Sequence, residues 1–186
     1  MDGVRSDVKV VESPRRVRLY DVLLRFLGLV FTLAAAVLVG ATKETKTVPI
    51  SLADGLPTLH LTFTAKWQYM SAFVYFLVSN AIACSYAAGS LAYSVAALSF
   101  KHNATVVLII LDLIIMALLF SANGASAAVG IIGQHGNSHV QWRKVCDLFD
   151  DYCHHMAAAL VLSLFGSFAF IWLVVLAVLG LRKKQK

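Results

Sequence analysis

A chain of 186 residues that is 59% hydrophobic and only 14% charged has too little polar surface to fold as a soluble globule. Its formal net charge of +6 would suit a nucleic-acid partner, but the basic residues gather beside long apolar runs and are not interleaved with aromatics, which argues against a nucleic-acid-binding module. Four apolar stretches leave loops and tails too short for a soluble catalytic domain, and no internal repeat is visible. The composition is that of an all-α membrane protein, a bundle of four transmembrane helices.

The first 20 residues set Arg5, Lys9, Arg15, Arg16 and Arg18 against Asp2, Asp7 and Glu12, and read as a polar tail that cannot build a core. The apolar run 22–41 follows. Small residues (Ala34, Ala35, Ala36, Gly40, Ala41) crowd its end, as they do at a signal cleavage site. A signal core is only about 7–15 residues long, however, so the run is expected to stay as a first span. Arg25 lies near its start, where a long side chain can snorkel to the interface.

Residues 42–66 form a first outer loop with Pro49, Gly55 and Pro57, and the alternation of Leu59, Leu61 and Phe63 suits a short strand or hairpin. His60 stands alone there and reads as solvated. A second span, 69–98, opens beside Trp67 and Tyr69, aromatics of the interfacial kind. Ser85, Gly89, Ala92 and Ala96 recur along it at spacings of three and four, which permits close helix contact. A short connection then carries Lys101 and the glycosylation sequon Asn103-Ala104-Thr105, which this topology places on the cytosolic side and leaves unused.

The third span, 104–130, holds the feature that most needs explaining, the carboxylate of Asp112 within ATVVLIILDLIIMALLFSA. A charge at mid-helix costs on the order of 3 kcal/mol on insertion scales, so this side chain should face other helices. The plain reading is a hydrogen-bonded structural aspartate, and the functional reading is an ion pair or an ion pathway. Arg25 is the obvious partner for a pair. With both spans starting at one face, Arg25 is roughly 5 Å deep and Asp112 roughly 12 Å, and the arginine leans away from the aspartate. An upturned arginine or a shared water is therefore needed. Tyr86, Ser90 and Tyr93 of the second span fall near the same depth and are rival donors. Beyond Asp112 the span grades into SANGASAAVGIIG, where Gly124 and Ala128 stand four apart in a pattern of tight packing. A phosphate loop is the other reading, but the Lys-Ser/Thr ending of a Walker motif is missing.

The second outer loop, 134–155, is the most polar stretch between spans and holds Cys146 and Cys153, while Cys84 lies within the second span. On the oxidising side of a membrane Cys146 and Cys153 are expected to form a disulfide. A metal site built from them with His135, His139, His154 and His155 is the weaker alternative, since neither CxxC nor HExxH spacing occurs. Asp147, Asp150 and Asp151 read as a solvated face. The fourth span, 156–181, ends in Arg182, Lys183, Lys184 and Lys186. Ten basic residues then flank the spans on the side of the termini and five lie in the outer loops, which places both termini in the cytosol.

FVYFLVSNAIACSY in the second span, LDL around Asp112, SANGASAAVG after it and GNSHVQWRKVC with a later Cys in the second outer loop resemble the plant CASP-like proteins, relatives of the Casparian strip membrane domain proteins. The resemblance covers nearly the whole chain, from Tyr20 to Arg182. It implies that Arg25 and Asp112 occupy the family's hallmark positions, that Cys146 and Cys153 are its loop cysteines, and that the bundle is MARVEL-like. It further implies a plasma-membrane protein that associates with itself and with related members and recruits machinery that modifies the cell wall. Gly136, Asn137, Ser138, His139 and Trp142 would then form the partner-facing loop. One departure stands out. The strip-forming members carry an aromatic signature resembling ETLPFFTQF in the first outer loop, and residues 42–66 have nothing like it, which suits a CASP-like member and not a strip-forming one.

Three classes of function follow. The first is a scaffold locked by Arg25 and Asp112 that oligomerises through small-residue faces such as those at Gly89, Gly124 and Ala128. The second is a channel or transporter with Asp112 lining the pathway, against which one carboxylate and one arginine make a poor relay. The third is an intramembrane enzyme, for which there are no paired aspartates, no Ser-His pair at catalytic depth and no metal motif. Neither a cofactor nor a metal is called for.

Overall fold

Residues 14–50, 59–96, 105–136, 139 and 144–185 are described by a computed structural model of the chain. Among them the elements run α1 (Pro14–Ala41), β1 (Lys43–Ile50), β2 (Leu59–Lys66), α2 (Ser71–Ala96), α3 (Thr105–His135) and α4 (Asp150–Gln185). One 3-10 turn, Trp67–Tyr69, links β2 to α2. The four α-helices are each long and apolar enough to cross a bilayer.

Local chemistry explains where the helices start and stop. Pro14 opens α1 in the first turn, where the backbone N–H has no acceptor within the helix to lose. α3 continues five residues beyond the expected 130, because Ile131 and Ile132 carry the apolar pattern on and the chain leaves the helix only at Gly136. That residue has φ 69° and donates its N–H to the Ile132 carbonyl, the left-handed cap for which glycine is best suited. α4 begins at Asp150, six residues before the expected 156, with Asp150 and Asp151 in its first turn, where carboxylates complement the helix dipole. The expected second outer loop, 134–155, therefore yields its two ends, 134–135 and 150–155, to the helices. α2 starts at Ser71, after the aromatics Trp67 and Tyr69.

The helices form a ring in chain order, α1 packing on α2 and α4, and α3 on α2 and α4. α1 and α3 thus stand on one diagonal and α2 and α4 on the other. α1 and α4 approach closely. A Cβ added at Gly166 would lie 3.0 Å from Cγ2 of Thr32, and one at Gly28 would lie 3.4 Å from the Phe170 ring. Two apolar clusters fill the ring. One, toward the hairpin, joins Ala35, Val39, Phe73, Phe76, Tyr152 and Met156, and the other, toward the termini, joins Ala83, Ala87, Ile115, Leu119, Phe170 and Leu173.

Between and beside these clusters the interior is more polar than a count of ionisable residues suggests. Thr32, Ser79, Asn80, Asn123, Ser126, Ser163 and Ser167 are all buried. Asn123 Nδ2 donates to the Leu119 carbonyl and to Ser163 Oγ, Ser126 Oγ donates to the Ala72 carbonyl, and Thr32 Oγ1 donates to the Gly28 carbonyl at 2.8 Å. In hydrocarbon such bonds replace those that water would make.

The hairpin is antiparallel with Lys43 opposite Lys66, Thr45 opposite Thr64 and Thr47 opposite Thr62. The threonine hydroxyls meet across the strands at 3.2 and 3.3 Å. Its foot packs on the bundle, where Ala65 and the following Trp67 join the hairpin-side cluster and Trp67 Nε1 donates to the Gly40 carbonyl at 3.3 Å. Eight extended residues per strand give it a length of about 26 Å.

Candidate functional site

The structure brings Arg25 and Asp112 into direct contact across the α1–α3 diagonal. Nη1 donates to Asp112 Oδ1 at 3.3 Å and Nη2 to Oδ2 at 3.2 Å, a two-pronged pair between residues only 3% and 1% exposed. No shared water is needed to close the gap anticipated from helix depth. Arg25 turns inward because a second carboxylate holds its base: Asp21, one helical turn earlier on α1, accepts from Nε at 3.2 Å.

Tyr86 of α2 completes the site. Its hydroxyl donates to Asp112 Oδ1 at 2.6 Å and also lies 3.4 Å from the Leu108 carbonyl. Of the rival donors, Tyr86 alone engages the aspartate, since Ser90 Oγ turns to the carbonyl of Ala87 and the buried Tyr93 hydroxyl has no hydrogen-bond partner among the described residues. Ser94 Oγ donates to Asp21 Oδ2 at 3.2 Å. The two carboxylates, the guanidinium and two hydroxyls therefore connect α1, α2 and α3 in one network at the terminal end of the bundle. Asp21 and Ser94 were not anticipated from the sequence. Asp21 stands four residues before Arg25, a spacing that pairs charges on one helix face, whereas nothing in the sequence signals Ser94.

On the opposite side of the membrane Cys146 and Cys153 are joined in a disulfide, with their Cα atoms 5.7 Å apart. Both thiolates are thereby removed from the metal set considered above. The bridge ties the turn before α4 to the first turn of α4. The end of α3 anchors that turn, because the Gly133 carbonyl accepts from the N–H groups of Val145 and Cys146. The hairpin reaches the same place. Glu44 Oε2 accepts the backbone N–H of Tyr152 at 2.9 Å, which caps the α4 N-terminus from β1. Desolvation works against the Glu44 carboxylate, but the bonds from Lys46 and from the Tyr152 N–H outweigh it and hold the carboxyl below the usual carboxylate range.

The remaining candidates are placed less centrally. Gly89, Gly124 and Ala128 do not mediate helix contacts within the chain: all three are exposed, and a Cβ added at Gly89 or Gly124 would meet nothing within 4 Å. Close packing inside the bundle falls instead to Gly28 and Gly166. Gly136 ends α3, and His139 is exposed. Asn137, Ser138 and Trp142 lie outside the described residues, as do the first 13 residues, Lys101 and the sequon residue Asn103.

Residues 14–169 match the family model described as the Casparian strip membrane protein domain. The chain belongs to that family. It is 55% identical to CASP-like protein 1E1 of Vitis vinifera over 99% of this chain and 92% of the relative, and 49% identical to CASP-like protein 1E1 of Populus trichocarpa over 100% and 94%. CASP-like protein 1E1 of Arabidopsis thaliana is 41% identical over 97% of this chain and 95% of its own length. No solved structure matches. As a CASP-like membrane protein, the chain presents one ionic network near its termini and one disulfide-closed cap at the other end of the same bundle.

Proposed function

We propose that this CASP-like protein is a self-associating plasma-membrane scaffold, with both termini in the cytosol, that organises a membrane subdomain and presents its disulfide-closed outer loop to cell-wall-modifying partners. The observation that carries this reading is the destination of the intramembrane charges. Arg25 and Asp112 are spent on each other and on Tyr86, so they fix three helices and neither is left to serve a through-path. The excess of basic residues beside the termini supports the orientation. The outward-facing small residues at Gly89, Gly124 and Ala128 are flat surfaces on which a second copy, or a related member, can approach closely.

The buried amide and hydroxyl groups from Thr32 to Ser167 favour a second reading, a small channel or transporter. Against it, most of these groups bond to each other or to backbone carbonyls of their own bundle. Crosslinking and single-molecule tracking of the tagged protein in plant plasma membrane separate the readings. The scaffold predicts immobile oligomers that become mobile, or are retained inside the cell, in Asp112→Asn. Freely diffusing wild-type monomers, together with ion flux in proteoliposomes, would replace it with the channel.

A further inference from the structure

The end of the bundle that carries the termini has its charge on one corner. α1 and α4 are antiparallel neighbours, and three contacts fix their register: Gly28 faces the Phe170 ring, Thr32 faces Gly166, and the Phe31 and Phe165 rings have centroids 5.8 Å apart. Carried toward the termini, that register sets Arg16 on α1 at about the level of Arg182 on α4. Arg15, Arg16 and Arg18 therefore stand beside Arg182, Lys183 and Lys184, so that two adjacent helix ends carry only cations. Neither helix has a carboxylate between 14 and 20 or between 180 and 185. Asp21, the next acid along α1, is already bonded to Arg25 and Ser94.

Neither membrane topology nor helix stability asks for this arrangement. Basic residues that orient spans can sit in any segment on their side of the membrane, yet the sequence between α2 and α3 supplies only Lys101. On α1 the arginines stand at the positive end of the helix dipole, which disfavours cations, and the first turn holds no acid to offset them. Arg18 and Arg182 are both exposed, and among the described residues neither forms an ion pair. Just membrane-ward of them Leu19, Tyr20 and Leu179 are exposed as well, so acyl chains reach the same corner. Crowded cations beside lipid-facing apolar side chains call for a polyanion that arrives with acyl chains attached.

We infer that the α1–α4 corner binds the polyphosphorylated headgroup of a phosphoinositide from the leaflet beside the termini. A headgroup with one net charge neutralises one cation, whereas several phosphates on one ring neutralise cations from both helices at a single cost in ordering entropy. The acyl chains pass over Leu19 and Leu179 into the bilayer. The inference rests on the orientation proposed above only for the leaflet that supplies the lipid, and it is independent of whether the chain associates with itself. It makes the place where the protein collects in the membrane sensitive to headgroup charge.

Native mass spectrometry of the full chain, purified and delipidated in detergent, tests this with phosphatidylinositol bisphosphate and phosphatidylserine added at equal concentration. Detergent opens both ends of the bundle to lipid, so the result does not depend on orientation in the cell. Retention of the bisphosphate lipid over phosphatidylserine by about tenfold is expected, equivalent to about 1.4 kcal/mol. Arg18→Gln with Arg182→Gln should remove most of that preference while leaving helicity by circular dichroism unchanged. Lys43→Gln with Lys66→Gln, which takes the same charge from the hairpin end, should retain it. Equal retention of the two lipids, an unchanged preference in the arginine variant, or an equal loss in both double variants would overturn the site. Displacement of the lipid by free inositol trisphosphate at equal concentration would overturn the assignment to a lipid.

Discussion

Removing the Asp112 charge leaves Arg25 buried with only Asp21, which sits at the edge of the bundle with its side chain 34% exposed. Breaking one partner of a buried pair costs about 3 kcal/mol or more, because the other charge stays desolvated. Thermal unfolding in detergent should therefore rank Asp112→Asn as most damaging. Tyr86→Phe should follow, since it removes one hydrogen bond to a charged group, a loss of about 1.5–3 kcal/mol. Asp21→Asn should cost least, because water already reaches that carboxylate. Arg25→Asp with Asp112→Arg should recover part of the loss. The reversed arginine would meet Asp21 less well, so recovery should be incomplete. An equal effect of all three single variants would mean that the network does not act through the Arg25–Asp112 contact.

Among the elements, the hairpin is held to the bundle at its foot, and Glu44 is a contact there that titrates. Its carboxyl is depressed below the ordinary value of about 4.3. Such a group stabilises the docked hairpin above the unfolded-state value and loses that contribution as pH falls through the folded-state value. The protection of the β1 amides, measured against their intrinsic exchange at each pH, should therefore be high at neutral pH and fall as pH drops through the depressed folded-state value of Glu44. Glu44→Gln should exchange faster at neutral pH and lose most of that pH dependence. The disulfide acts on the neighbouring turn. Closing so small a loop contributes about 2–3 kcal/mol, so Cys146→Ser should lower the melting temperature and loosen the α4 N-terminus without preventing the four helices from inserting.

At the scale of the whole molecule, two kinds of glycine separate the fold from the assembly. Gly166→Ala forces a Cβ to within 3.0 Å of Thr32 in the α1–α4 seam and should cost about 1–3 kcal/mol of monomer stability. Gly89→Ala meets nothing within the chain and should be neutral or stabilising by up to about 1 kcal/mol, from helix propensity alone. If the small-residue faces of α2 and α3 serve self-association, larger substitutions there, such as Gly89→Leu on α2 and Gly124→Leu on α3, should reduce crosslinked oligomers while the melting temperature holds. Loss of both together would assign those glycines to folding instead.

The amino-acid sequence determined by itself what depends on local period and solvent. Four apolar runs fix four spans, the strand alternation at Leu59, Leu61 and Phe63 belongs to a real hairpin, and two cysteines on one side of the bilayer find each other. It also singled out Asp112 and Arg25, because a charge in hydrocarbon is costly wherever it occurs. Three-dimensional packing decided which groups meet that charge and which faces remain open. Tyr86, which shares one face of α2 with Ser90 and Tyr93, was chosen by the level at which α2 meets Asp112, and Asp21 was recruited by an arginine that turned inward. Gly89 and Gly124 were left facing outward while Gly28 and Gly166 took the tight seam. Spacing along a helix says which residues share a face, but the neighbour that covers that face is set by how the four helices pack around one another.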